Sequence, residues 1–274
     1  MRDSSPYKTI AVATTFSPRF KHVLAEAKRI RDRFGADLHL IYVGRRNEET
    51  SRRFSDVLAE LELPADSPIH YEEGDPAEAI LAALARENID MLVAGALEKE
   101  IVLHSFLGNV ARRLVREANC SVILFTAPQK RPKPLRRIVF FADHSQQGLV
   151  ALKTTLMLAE AESCERLYVI GIITAFDEAR ASIASDVTSA THKPNHGEED
   201  PLEEFVLSAG ATEVPIETRV IRGATGLAAS DFVRSVEADL LVVPLPKSRE
   251  TVQQLPSNIA WVSDVIPCNL WIVR

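Results

Sequence analysis

Residues 74–95 read GDPAEAILAALARENIDMLVAG, and they contain a helix followed by a strand. Asp75 is suited to cap the helix, Pro76 fits its first turn, and Glu78 stands where a capping-box partner stands. The helix has one apolar face, and the run MLVA that follows it is typical of a buried strand ending at Gly95. A helix leading into a fully apolar strand predicts a parallel sheet that is covered by helices.

The same alternation continues on both sides of this segment. Ser17 is expected to cap a helix whose first residue is Pro18 and which stops at Gly35. Further strands are predicted at residues 38–43 and 122–125, and a further helix at about residues 108–118. Strands that alternate with helices predict a doubly wound α/β domain, with any ligand beyond the carboxyl ends of the strands.

This alternation of strands and helices occurs twice in the chain. Residues 9–17 (TIAVATTFS) correspond to residues 137–145 (RIVFFADHS), each an apolar strand that ends in a polar turn. Residues 119–125 (NCSVILF) correspond in the same way to residues 267–273 (PCNLWIV). The order and similar spacing of these pairs indicate a duplicated domain.

The two copies are joined by residues 126–135, TAPQKRPKPL, which contain three prolines and three basic residues. This composition predicts a stiff, solvated connector. We therefore place a first domain at residues 1–127, a linker at 128–135 and a second domain at 136–274.

The composition excludes several classes of function. The chain has 274 residues, a formal net charge of −6 and a pI of about 5.7, which argues against nucleic acid as a partner. No run approaches the about 20 apolar residues that span a bilayer, and residues 1–10 lack the apolar core of a signal peptide. We expect a cytoplasmic protein with no membrane partner. Its three cysteines lack metal-ligand spacing and are expected to be free thiols.

Several segments together resemble the universal stress protein family, over nearly all of both halves. The most specific are GDPAEAI and IDMLVAG, at residues 74–80 and 89–95, of which residues 223 and 237–243 are a looser copy. The family's first strand is followed by Asp and Ser; Asp143 and Ser145 fit this, whereas the first half has Thr15 in place of the Asp. The resemblance implies two tandem Rossmann-like domains forming an intramolecular pseudo-dimer through their final strands, at residues 122–125 and 270–273.

Family members that bind ATP carry Gly, two residues, Gly, nine residues, Gly, then Ser or Thr. Glycines let the backbone approach phosphate oxygens, and the helix N-terminus donates to the anion. The spacing survives here, but the residues change in both halves. In the first half the positions are Gly95, Glu98, Gly108 and Asn109; in the second half they are Pro244, Lys247, Ser257 and Asn258.

These changes weaken the implied phosphate site. Glu98 places a negative charge where phosphates would lie, and Pro244 removes a backbone donor. Lys247 would have to replace amide donors by a point charge. By the resemblance, adenosine would lie near the first strand and Val43, with Thr15 and Asp143 at the positions of the family's Asp.

Each candidate also has a purely structural explanation. Gly95 and Gly108 fit a strand-to-loop turn and a helix start, and Asp143 with Ser145 fits a helix cap. His192 and His196 have an HxxxH spacing, but Pro194 between them argues for a solvated loop rather than a metal pair. The cysteines before the two final strands have the pattern of buried, inert thiols.

The leading hypothesis is a non-enzymatic stress-response protein that works through a protein partner, or through a small ligand other than ATP in the family's usual pose. No general base, nucleophile or metal cluster is found, so no cofactor is expected. The alternative is a nucleotide sensor that binds ATP or AMP in the first domain. An adenylyl-transferring or hydrolysing enzyme ranks last. Besides the intramolecular pseudo-dimer, a further homodimer of the chain is left open.

Overall fold

The computed structural model describes residues 5–96, 105–173, 200–222, 226–247 and 265–274. The first half runs β1 (Thr9–Thr14), α1 (Phe20–Phe34), β2 (Asp37–Val43), α2 (Glu48–Glu60), β3 (Ile69–Glu72), α3 (Pro76–Arg86), β4 (Met91–Gly95), β5 (Ser105–Phe106), α4 (Asn109–Glu117) and β6 (Ser121–Phe125). The second half runs β7 (Arg137–Phe141), α5 (Gln146–Ala161), β8 (Arg166–Ile173), α6 (Asp200–Ser208), β9 (Ile216–Arg222), α7 (Gly226–Ser235), β10 (Leu240–Pro244), β11 (Val265–Ile266) and β12 (Asn269–Val273).

Local sequence signals set several helix ends. The side chain of Asp75 accepts a hydrogen bond from the Glu78 N–H at 3.1 Å, so α3 begins as its sequence predicts. Helix α1 ends at Gly35, whose φ of 64° lies in the left-handed region that favours glycine. Helix α2 carries a capping box between Asn47 and Thr50, a segment for which the sequence analysis proposed no element.

The prediction that Ser17 caps α1 is wrong. The helix begins at Phe20, its N-cap is Arg19, and no side chain caps it. The Ser17 carbonyl instead accepts a hydrogen bond from the Phe20 N–H at 3.0 Å. Pro18 therefore occupies the second position of a tight turn, for which its fixed φ is suited, rather than the first position of the helix.

Ten strands form one continuous sheet in the order β3-β2-β1-β4-β6-β12-β10-β7-β8-β9. Neighbours are parallel within each half, and β6 pairs antiparallel with β12 at the midline. Leu124 lies opposite Leu270 and Ile123 opposite Trp271, so the predicted pairing of the two final strands is confirmed. This pairing leaves neither final strand as an open sheet edge.

Both halves contain the same pair of hydrogen bonds from an Asp side chain to the start of the first strand. The Asp90 carboxylate accepts hydrogen bonds from the N–H groups of Lys8 and Thr9, before β4 and at the start of β1. The Asp239 carboxylate accepts the same pair of bonds from Arg136 and Arg137 in the second half. Each Asp ties the beginning of its domain's first strand to the beginning of the strand beside it.

Helices cover both faces of the sheet, and each face has its own apolar core that crosses the midline. Helices α1, α2, α5 and α6 cover one face, where Trp271 is fully buried. Helices α3, α4 and α7 cover the other face. Among the described residues, no helix has the length and apolar character needed to cross a membrane.

A buried ion cluster joins the halves on the α1 side of the midline. The Glu162 carboxylate accepts hydrogen bonds from Arg29 at 2.7 Å and Arg33 at 2.6 Å. It also accepts the Leu135 N–H at 2.9 Å, while Glu26 accepts from Arg29 and from the Gln129 N–H. The connector is thus anchored at two places and buries Leu135, so at these points it is packed against the protein and not solvated as predicted. Its proposed bounds, 128–135, stay a prediction.

Candidate functional site

A cavity of about 330 Å³ lies beyond the carboxyl ends of β1 and β4 in the first half. Three of the predicted site residues line it: Thr15 follows β1, Val43 ends β2 and Gly95 ends β4. Helices α1, α3 and α4 supply the remaining walls with Phe20, Val23, Ile80, Ala111 and Leu114. The cavity is where a doubly wound domain places its ligand.

The lining of this cavity is mostly apolar. The Thr14 hydroxyl already donates to the Ile41 carbonyl at 3.0 Å, so it is committed to joining β1 and β2. Thr15, Ser17 and Arg19 bring the polar groups, on the loop that leads into α1. An apolar chamber with a few polar groups at one side suits a small, largely apolar ligand or the base and sugar of a nucleoside.

Gly95 packs closely against α1. A Cβ at this position would lie 2.9 Å from the Val23 Cγ2 atom, closer than carbon atoms tolerate. The structural explanation of Gly95, a strand end against which α1 packs, is therefore sufficient without a ligand. Ala96 follows it and donates its N–H to the Phe125 carbonyl at 2.9 Å, which ends the ladder with β6.

The other positions of the predicted phosphate motif are not all brought to the cavity. Gly108 is the N-cap of α4 and Asn109 is its first residue; the cavity is lined by the next two residues of that helix, Val110 and Ala111. The start of α4 therefore borders the cavity without lining it. Glu98 lies outside the described residues.

The second half has a different loop at the corresponding place. The Asp143 carboxylate accepts a hydrogen bond from the Ser145 N–H at 3.0 Å, and the Ser145 hydroxyl caps α5 by accepting the Gly148 N–H at 3.0 Å. Ser145 is thus the N-cap of α5, and Asp143 accepts the N–H of this cap residue, so both side chains satisfy backbone donors. The turn is tight, because a Cβ at Gly148 would come within 1.7 Å of the Asp143 carbonyl oxygen.

A side chain that the sequence analysis missed bridges the second half's crevice. The Gln147 side-chain amide donates to the Leu245 carbonyl at 2.5 Å, from the start of α5 to the residue after β10. Leu245 is the counterpart of Ala96, since its N–H donates to the Val273 carbonyl at the end of the last strand. The amide thus joins, in the second half, the two positions whose first-half counterparts, Arg19 and Ala96, line the cavity.

In the part of the second half that the structure describes, the remaining candidate residues do not form a phosphate-binding loop. Pro244 ends β10 and has no N–H to offer, and Lys247 is exposed beyond it. Ser257 and Asn258 lie outside the described residues, as do His192 and His196.

Comparison with known sequences agrees with the duplicated fold. The profile of the universal stress protein family matches residues 48–126 and again residues 134–274. The chain belongs to the universal stress protein family. Its two matched segments fall on either side of the β6–β7 connection, one in each half of the ten-stranded sheet.

Two curated universal stress proteins each match about one half of the chain. That of Thermus aquaticus, encoded in the 3′ region of the QAH/OAS sulfhydrylase gene, is 30% identical over 135 residues, which are 43% of this chain and 98% of the relative. One from Methanocaldococcus jannaschii is 28% identical over 144 residues, 45% of this chain and 85% of the relative. A single-domain relative thus has the length of one half of this tandem universal stress protein.

Solved structures match the whole tandem. A protein of unknown function from Pseudomonas aeruginosa superposes with a TM-score of 0.72 at 13% identity, covering 100% of this chain and 94% of its own. A universal stress protein from Archaeoglobus fulgidus gives a TM-score of 0.64 at 16% identity, with 99% of both chains covered. These likenesses show that the arrangement of two domains in one chain is shared.

The thiols of this universal stress protein are held in their neutral form. Burial raises the pKa of Cys120, just before β6, to about 12, and burial also raises the pKa of Cys268, just before β12. A thiol is nucleophilic as the thiolate, so these two groups are inert at neutral pH. Within the described ranges, no three His, Cys, Asp or Glu side chains are grouped to hold a metal ion.

Proposed function

We propose that this universal stress protein is a non-enzymatic binding protein of the stress response, with one ligand site per chain, in the first half. The observation that carries the proposal is the difference between the two crevices. The first contains a cavity of about 330 Å³, whereas the Gln147 side chain crosses the second to the Leu245 carbonyl. Ligand binding in the first half would then be signalled to a protein partner.

The chemistry of the cavity favours a ligand other than ATP in the family's usual pose. Its walls are mainly apolar, and a nucleoside-sized group has room in it. The triphosphate of ATP would need the glycine-rich loop, in which this chain has Glu98 and Asn109. We therefore expect Mg-ATP to bind with a dissociation constant weaker than about 100 μM, which corresponds to about −5.5 kcal/mol.

Native mass spectrometry of the purified full chain is the first test, because a tightly held ligand travels with the protein. Two variants locate any ligand. Val43→Phe fills part of the first cavity, and Ile172→Phe makes the matched change at the corresponding end of β8. Loss of the ligand in Val43→Phe alone supports the proposal; loss in Ile172→Phe alone contradicts it.

A nucleotide sensor is the second candidate, and it is favoured by the convergence of Thr15, Val43 and Gly95 on one cavity. Calorimetry with Mg-ATP and AMP separates the two candidates. A low-micromolar dissociation constant that Val43→Phe abolishes would establish the sensor. Release of phosphate from Mg-ATP above the buffer rate, also lost in Val43→Phe, would contradict the non-enzymatic function.

A further inference from the structure

Two imidazole rings meet at the outer edge of the first half's sheet, away from the cavity. The Nδ1 atom of His39 lies 3.0 Å from the Nε2 atom of His70. The rings are stacked at an interplanar angle of 28°, with centroids 5.1 Å apart. A pair of ring nitrogens at this distance shares one proton or one other electron-pair acceptor.

The fold builds this pair. Strands β2 and β3 are parallel, with Ile41 opposite His70, so the side chains at 39, 41 and 70 point to the sheet face covered by α3. Ile41 packs into the core on that face. β3 is the edge strand, and 14% of the His70 side chain is exposed, so the pair is accessible from solvent.

The Glu87 carboxylate lies beside the other ring nitrogen of His70. Its Oε1 atom lies 3.4 Å from the His70 Nδ1 atom, on the opposite side of the ring from His39. A proton on Nδ1 that faces this carboxylate leaves the Nε2 lone pair directed at His39. A carboxylate behind a histidine is the arrangement that orients histidine ligands and increases their basicity in metal sites.

The surrounding charges favour a cation. Asp37 lies two residues from His39 on β2, Glu72 lies two residues from His70 on β3, and Glu87 ends α3. The basic side chain facing them is Arg86, which bonds to both Glu72 and Glu87.

We propose that His39 and His70 form a binding site for a divalent late transition-metal ion of the Cu²⁺ or Ni²⁺ type. His39 binds through Nδ1 once its proton resides on Nε2, and His70 binds through Nε2, so two lone pairs replace the shared proton. At metal–nitrogen distances of about 2.0–2.1 Å, nitrogens 3.0 Å apart subtend roughly 90° at the ion. That angle suits cis positions of tetragonal coordination, with water at the other positions.

The test is calorimetric titration of the chelator-treated full chain with NiCl₂ and CuCl₂. We expect one saturable site with a micromolar dissociation constant. His39→Gln and His70→Gln should each weaken binding at least 10-fold, and Glu87→Gln by about 10-fold through His70. His144→Gln, at an exposed loop position, is the single-histidine control and should bind like the parent chain.

The sequence contains a second histidine pair, His192 and His196, and the double variant His192→Gln/His196→Gln controls for it. This variant should keep the site, and electron paramagnetic resonance of its Cu²⁺ complex should show coupling to two imidazole nitrogens. The spectrum shows whether two imidazoles bind the Cu²⁺ ion even if a variant at 39 or 70 fails to fold. Coupling to fewer than two nitrogens, no saturation below millimolar metal, or full affinity in folded His39→Gln and His70→Gln would overturn the proposal.

Discussion

The Gln147 side chain donates to the Leu245 carbonyl in the second domain, and so joins two positions whose first-domain counterparts, Arg19 and Ala96, both line the cavity. The counterpart of Gln147 in the duplicated sequence is Arg19, two residues after Ser17 as Gln147 is two after Ser145. The first domain therefore has a charged guanidinium group where the second domain has a neutral amide. Two copies of one fold thus differ at the place where a ligand would enter.

Gln147→Ala should destabilise the second domain. The Leu245 residue is 2% exposed, and its carbonyl would lose its side-chain donor, which costs about 1 kcal/mol. Gln147→Glu should cost more, because a carboxylate cannot donate to a carbonyl. Urea denaturation measures both, and Gln146→Ala, at the exposed neighbouring position, is the matched control. Equal stability of all three variants would show that the bond contributes nothing.

Gly95→Ala should cost about 1–3 kcal/mol through overpacking, because the new methyl would lie 2.9 Å from the Val23 Cγ2 atom. Removing that atom relieves the contact, so the double variant Val23→Ala/Gly95→Ala should be more stable than the two single effects predict. A double-mutant cycle by chemical denaturation gives the coupling free energy. A coupling near zero would mean that the backbone at Gly95 moves freely, and the packing explanation would fail.

Much of the fold follows from local sequence signals. Apolar runs identified β1, β2, β4 and β6 in the first half and, by correspondence, β7, β10 and β12 in the second, whereas β3, β8 and β9 were not predicted. The resemblance to the universal stress protein family implied the central β6–β12 contact. Helix α2 was not predicted, although Asn47 and Thr50 have the spacing of its capping box. The Ser17 cap was predicted wrongly because Pro18 suits both a helix start and a turn, and the sequence alone does not rank the two.

The candidate site was predictable only where it follows strand ends. Thr15, Val43 and Gly95 lie at the carboxyl ends of β1, β2 and β4, and parallel strands bring such positions together. Gln147 was not predictable, because its partner is 98 residues away and is a backbone carbonyl, which carries no sequence signal. The His39–His70 contact depends on the register of β2 and β3 in the same way, which no motif in the chain specifies.

Glu162→Gln should lower the stability by about 3 kcal/mol at pH 7, since it leaves a buried ion cluster with its charge unbalanced. The Glu162 side chain is fully buried and accepts bonds from Arg29, Arg33 and the Leu135 N–H. Glu26→Gln is the matched control and should cost less, because Glu26 has bonds from one arginine and one backbone N–H. Thermal or urea denaturation compares the two; a larger loss in Glu26→Gln would contradict this ranking.

The two carboxylates should also respond to pH in opposite directions. Burial alone would raise the pKa of Glu162, but Arg29, Arg33 and the Leu135 N–H together lower it. The contribution of Glu162 to the free energy of unfolding is therefore complete above the pKa of the unfolded chain, and it is lost as the pH falls through the pKa of the folded protein. Burial raises the pKa of Glu26. The contribution of Glu26 to the free energy of unfolding is therefore present below the pKa of the unfolded chain, and it is lost as the pH rises through the pKa of the folded protein. Stability measured from pH 3 to 7 should therefore rise less steeply in Glu162→Gln than in the parent chain, and more steeply in Glu26→Gln.

The double variant Glu98→Gly/Asn109→Ser should bind AMP and Mg-ATP more tightly than the parent chain, by about 10-fold or more, whereas Lys247→Gly should not. In the first half, Gly95 already lines a cavity and Gly108 is the N-cap of α4, so two of the motif's glycines are in place. Glu98→Gly removes a carboxylate from the loop, and Asn109→Ser adds a hydroxyl donor. In the second half Lys247→Gly deletes an exposed cation, while Pro244 still cannot donate and Gln147 still crosses the crevice. Calorimetric titration of the three chains with the same nucleotide compares them directly. Equally weak binding in all three would mean that another feature closes the first site to nucleotides, and Thr15→Asp, which restores the family's residue beside the cavity, would be the next variant to titrate.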